Sequence, residues 1–105
     1  MSVSRKDSLL TLLKEEPQDS FLNYALALEL HKEGNTAEAI ALIEKVIRLD
    51  ENYLGAYLQL GQLYEEAGED NAALTTYHKG ALVARWQKNT KTLSELNQAI
   101  LMLEE

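Results

Sequence analysis

Tyr57-Leu58-Gln59-Leu60-Gly61-Gln62-Leu63-Tyr64, followed by Gly68, Ala73 and Tyr77, is the stretch on which the fold turns. One period of 34 residues upstream the same pattern recurs in a looser form. Leu26 stands for Leu60, Ala27 for Gly61, Leu30 for Tyr64, Gly34 for Gly68, Ala39 for Ala73 and Lys45 for Lys79. A fixed period of this length marks one supersecondary unit stacked on a copy of itself, each burying a face that it cannot bury alone. The function of such a chain is sought on a surface.

The second copy resembles the tetratricopeptide repeat: an aromatic at Tyr57, the pair Leu60-Gly61, Tyr64, a turn glycine at Gly68, Ala73, and an aromatic four residues later at Tyr77. The first copy departs from it with Asn23 at the leading aromatic position and Ile43 at the last, and Glu51 and Arg85 stand where each repeat would end in proline. The likeness covers about residues 19 to 86 directly. It implies an all-α fold of about six helices, stacked antiparallel hairpins forming a solenoid that winds as a right-handed superhelix. The expected organisation is a single domain over residues 1–105, with an N-terminal capping helix at 4–16, repeats at 19–52 and 53–88, and a C-terminal capping helix at 90–105.

Local patterns give the same elements. Leu9, Leu10, Leu12 and Leu13 form an apolar cluster closed by Pro17, which drives the residue before it out of helical dihedrals. Shifted by one repeat, Leu9, Leu12 and Leu13 fall over Ile43, Val46 and Ile47, so this helix resembles the second helix of a missing repeat, placed as a cap. From Ser20 to Glu33, two apolar faces imply two neighbours, and Gly34 supplies a left-handed stop. Asn35 and Glu38 have the spacing of a reciprocal N-terminal cap before the stripe Ala39, Ile40, Ile43, Val46 and Ile47. Tyr53 to Ala67 and Asp70 to about Lys88 repeat the hairpin. Small residues at Ala27, Gly61, Ala39 and Ala73 let antiparallel helices approach closely, and Gly80 is a further candidate for such a contact. Thr90-Lys91-Thr92 is a capping cluster, and Leu93, Leu96, Ile100 and Leu103 form the stripe of a final helix from which Leu101 and Met102 point away. Trp86 is expected to pack under that helix.

Composition narrows the function. With 105 residues and 46% hydrophobic content, one small core is the expectation. Cysteine is absent, which removes disulfides, thiolate metal sites and a thiol nucleophile. The N-terminus, Met1-Ser2-Val3-Ser4-Arg5-Lys6-Asp7, has no apolar signal core, and no apolar run approaches the roughly 20 residues of a membrane span. A cytoplasmic protein without a membrane partner is expected. Seventeen acidic against ten basic residues give a net charge of -7, which opposes nucleic-acid binding. Glu29, Glu33, Glu38, Glu65, Glu66, Glu69 and Asp70 gather near the inter-helix turns, where a solvated face is favoured over a patch for a basic partner.

No catalytic, cofactor-binding or metal-binding residue is read from the chain. His31 and His78 are far apart, no Ser, His and Asp arrangement is present, and no glycine-rich loop follows a strand. The resemblance implies instead a non-enzymatic protein-interaction module, an adaptor or scaffold gripping a peptide or helix of a partner protein on its concave face. That face would carry Phe21, Tyr24, Leu28 and His31 from one hairpin and Leu58, Gln59 and Gln62 from the next, with Glu65, Ser94, Glu95 and Gln98 beyond. Relatives that bind chaperones clamp a C-terminal carboxylate with Lys, Asn and Arg at these positions. Tyr24, Leu28, Leu58, Gln59 and Gln62 do not reproduce that clamp, and they favour an apolar or neutral segment. The rival reading is a self-associating unit, a homodimer through the inner wall, Leu101 and Met102.

Overall fold

The computed structural model describes residues 3–105. Met1 and Ser2, with which the reading of the N-terminus begins, lie outside the described residues. Six helices and no strands occur among the described residues: α1 Arg5–Glu15, α2 Ser20–Lys32, α3 Thr36–Leu49, α4 Leu54–Glu66, α5 Asp70–Trp86 and α6 Thr90–Glu104. The chain divides into two compact units, Met1–Tyr53 and Leu54–Glu105. In the first, α1 and α3 both pack on α2; in the second, α4 and α6 both pack on α5.

Three turns close their helices by the same device. Gly34 has φ +85° and Gly68 φ +77°. The Gly34 N–H donates to the His31 carbonyl at 3.0 Å, and the next N–H, of Asn35, reaches the Leu30 carbonyl at 2.9 Å. Gly68 and Glu69 repeat this on Glu65 and Tyr64 at 3.0 and 2.8 Å. This is the Schellman arrangement, in which a left-handed residue lets the chain satisfy carbonyls that the helix has left without partners. The third turn ends α5 and places Lys88 at the left-handed position with φ 59°; the N–H groups of Lys88 and Asn89 bond Arg85 and Ala84.

A lysine there strains the backbone, since left-handed dihedrals cost a residue with a Cβ roughly 1–2 kcal/mol. Glycine removes that cost and gives back about 0.5–1 kcal/mol through its freer unfolded chain. Lys88→Gly is expected to stabilise the protein by about 0.5–1 kcal/mol, and Gly68→Ala to destabilise it even though nothing lies within 4 Å of the added Cβ. Thermal melts showing the same sign for both variants would refute the assignment.

The Schellman turn also decides a capping expectation. Asn35 precedes α3, but its side chain caps nothing. Its N–H, which Glu38 would have to accept in a reciprocal cap, is already committed to Leu30. Asn89, not the Thr90 to Thr92 cluster, caps α6, accepting from the Thr92 N–H at 3.1 Å. Ser4 and Asp19 do the same for α1 and α2.

Helix α1 caps the first unit more narrowly than the repeat alignment implies. Leu9 is buried and Leu13 half-buried, but Leu12 is 47% exposed although Val46, its counterpart, is completely buried. Packed mainly on α2, α1 covers the stripe formed by residues four apart. Asn23 explains its own departure from the aromatic pattern. Buried on α2, it donates through Nδ2 to the carbonyls of Pro17 at 3.1 Å and Asp19 at 2.7 Å. Lys45 Nζ reaches the same Pro17 carbonyl from α3 at 3.2 Å, so the α1–α2 turn is tied from two helices.

In the second unit Leu54, Ala73, Tyr77, Ala81, Ala84, Leu96 and Ile100 form one core cluster. Its helices meet by reciprocal exchange of large and small residues. A Cβ on Gly61 of α4 would stand only 2.1 Å from Cε1 of the Tyr77 ring of α5, and a Cβ on Gly80 of α5 would stand 2.6 Å from Cβ of Tyr57 of α4 and 3.3 Å from Cδ1 of Leu96 of α6. Each tyrosine occupies the space that the facing glycine leaves open, which is the packing reason for both mid-helix glycines.

Candidate partner-binding surface

Phe21, Tyr24, Leu28 and His31 stand at i, i+3, i+7 and i+10 of α2 and so share one stripe. Phe21 is 60% exposed, while Tyr24, Leu28 and His31 are half-buried. The Tyr24 ring is fixed against Tyr53 with centroids 5.0 Å apart and planes at 39°, a tilted aromatic pair of the kind rings favour. Burial, and then Tyr53, holds the Tyr24 phenol above its ordinary value. Burial, and then Asp19 and Asp50, does the same to Tyr53. Both stay protonated at neutral pH and present hydroxyls rather than charge.

The corresponding residues of α4 differ in kind. Leu58 is half-buried against the core of its own unit, Gln59 is half-buried and Gln62 exposed. Glu65, one turn further, accepts a hydrogen bond from the buried Tyr77 phenol. Burial, and then Glu65, pushes that phenol well above the tyrosine range. Ser94, Glu95 and Gln98 of α6 are exposed. The stripe on α2 is thus aromatic and apolar, and that on α4 carries one leucine among amides.

Two of the acidic residues near the first turn, Glu29 and Glu33, are ion-paired. Arg5 Nε meets Glu29 Oε1 at 3.0 Å, Lys6 Nζ meets Glu33 Oε1 at 3.0 Å, and Lys32 Nζ lies 3.5 Å from Glu29. The hydrogen bond that it donates to Glu33, and then the Glu33 charge, raises the Lys6 ammonium above its ordinary value. These pairs lie at the surface and contribute little stability. They do neutralise Glu29 and Glu33, two carboxylates that the sequence counts toward a free acidic face.

Trp86 contradicts its expected place. It is 75% exposed at the last residue of α5. Helix α6 packs on the face bearing Tyr77, Ala81 and Ala84, and a residue two positions beyond Ala84 points to the other side of a helix of 3.6 residues per turn. Sequence reasoning also missed the Asn23 tie, for which the signal was a polar residue at an aromatic position, and the Tyr77–Glu65 bond, whose partners are 12 positions apart on different helices.

Among the described residues no cluster of three or more His, Asp or Glu could hold a metal ion, and no helix is long and apolar enough to cross a membrane. Helices paired in successive hairpins define a helical-repeat protein. The tetratricopeptide repeat profile matches residues 30–85, and the chain belongs to that family. A tetratricopeptide repeat domain protein from Salinibacter ruber is 43% identical in its crystal structure, with TM-score 0.77, covering 82% of this chain and 96% of that one. Its solution structure matches with TM-score 0.80, again at 43% identity, covering 84% and 89%. The TPR2B domain of yeast Sti1, solved in complex with pHsp70, has the same fold with TM-score 0.86 at 23% identity, covering 94% and 79%. No curated protein matches the chain. Tetratricopeptide repeats are a protein–protein interaction fold.

Proposed function

We propose that this chain is a non-enzymatic interaction module that binds a peptide or helix of a partner protein on the faces of its first repeat helices, through Phe21, Tyr24, Leu28 and His31 of α2 and Leu58, Gln59 and Gln62 of α4. The observation that carries the reading is Phe21, a large aromatic side chain 60% exposed on a helix face beside the half-buried Tyr24 and Leu28. Rigid, exposed aromatic and apolar groups on a packed scaffold are what interface anchors are made of. The complex of the Sti1 TPR2B domain with pHsp70 supports a protein as the partner, while the low identity leaves its chemistry to this chain's own residues. Those are phenylalanine, tyrosine, leucine, histidine and glutamine, so the segment bound is apolar or neutral. Affinity comes from buried area at about 25 cal/mol per Å², less the cost of ordering the segment.

The test is a partner isolated by pull-down from the source lysate and then titrated against Leu28→Ser and Leu58→Ser, singly and together. Each change is expected to cost about 1–2 kcal/mol of stability, less than a full core truncation, because both side chains are only partly buried. The double variant is expected to keep its helical circular dichroism and lose the partner. A double variant that binds as well as the original protein rejects this surface.

A further inference from the structure

One surface of the second unit is not used by that reading. Helices α5 and α6 flank an open cleft of about 520 Å³, with Leu82, Ile100 and Leu101 as its apolar wall and His78, Arg85 and Asn97 on its edge. Leu82 and Leu101 are exposed, and so are Trp86, one turn beyond Leu82, and Met102, beside Leu101. A run of exposed large apolar groups around a concavity marks an interaction surface.

Charge says what fits it. In a chain with net charge -7, residues 71–94 carry Lys79, Arg85, Lys88 and Lys91 and no carboxylate. Arg5 and Lys6 are held by glutamates, whereas among the described residues the Arg85 guanidinium has no hydrogen bond or ion pair. An unengaged guanidinium beside an apolar recess is the complement of a carboxylate next to a large apolar side chain, and guanidinium binds carboxylate in two-pronged geometry. We propose that the α5–α6 cleft docks a short acidic segment of a partner protein, with one leucine- or phenylalanine-sized side chain in the recess and a carboxylate on Arg85.

Two other occupants fit less well. A second copy of this chain, related by a two-fold axis through the cleft, would set its own basic stretch against itself. An anionic membrane meets a protein on a broad face, whereas a recess with one cation at its edge selects a single side chain.

The experiment selects a displayed library of short random peptides on the full-length chain and follows the enriched peptides by the fluorescence of Trp86, the one tryptophan in the sequence. The expected winners pair a large apolar residue with Asp or Glu, perturb Trp86, weaken with added salt, and lose about tenfold or more in affinity on Arg85→Glu or Leu101→Ser. They keep their affinity for Leu28→Ser, which separates this cleft from the proposed face of α2. Both residues replaced in the cleft are exposed, so the variants are expected to fold, as circular dichroism will verify. Enriched peptides without acidic residues, or insensitive to Arg85→Glu, overturn the proposal. So does a Trp86 response to phosphatidylserine vesicles but to no peptide. A dimer in sedimentation that Arg85→Glu or Leu101→Ser dissolves overturns it in favour of a second copy.

Discussion

Gly61→Ala is expected to destabilise the protein by about 2 kcal/mol, although alanine is the better helix former by about 0.8–1.0 kcal/mol. The new Cβ would stand 2.1 Å from Cε1 of the Tyr77 ring, far inside van der Waals contact. That ring is fully buried and its hydroxyl is tied to Glu65, so it has nowhere to move. Leucine at the same place should cost more again. The first hairpin shows how the conflict is relieved: one period earlier, Ala27 stands for Gly61 and Ile43 for Tyr77, and both are fully buried. A smaller partner accompanies the larger residue. The pair Gly61→Ala with Tyr77→Ile should therefore be more stable than the sum of the single changes allows, by about 1–2 kcal/mol. Melts of the two single variants and the pair measure that coupling directly. Strict additivity, or a Gly61→Ala variant as stable as the original, would mean that α4 and α5 do not meet at this point.

The same comparison accounts for what could be read in advance. Tyr57 faces Gly80 in the second unit, while the equivalent positions of the first carry Asn23 and Val46, both buried. Large and small residues change places between the copies, so the repeat survives as a period and a set of volumes more than as letters. Helix ends were legible because Gly34, Gly68 and Pro17 constrain the backbone locally. Caps were read less well, because the donor that a cap needs can be taken by the preceding turn, as Leu30 takes the Asn35 N–H. The exposure of Trp86 was hidden for a different reason. A tryptophan's size suits a core or an interface equally, and only the register in which α6 sits on Ala81 and Ala84 separates them. The candidate stripe on α2 was visible as a spacing. Its polarity was visible too, but how far Tyr24 is committed to Tyr53 depends on a contact across 29 positions of the chain.

Removing α6 should have the largest effect of all. Leu96 is completely buried and Ile100 nearly so, both in the cluster with Tyr77, Ala81 and Ala84. Leu96→Ala alone is expected to cost about 2–5 kcal/mol, the usual range for a large aliphatic side chain removed from a core. Deleting residues 90 to 105 removes both side chains and bares the α5 face beneath them. The loss is then comparable with the whole stability of a small domain, about 5–15 kcal/mol, and the truncated chain should aggregate or lose its cooperative melt. Leu101→Ser supplies the contrast, because Leu101 is on the same helix but exposed; it should move stability by no more than about 0.5 kcal/mol. A helix that merely decorates the hairpin would make the deletion as mild as that point change. A truncated chain that stays monomeric with an unchanged Tm would show that the core closes without α6, and Leu96 could not then be the residue that seals it.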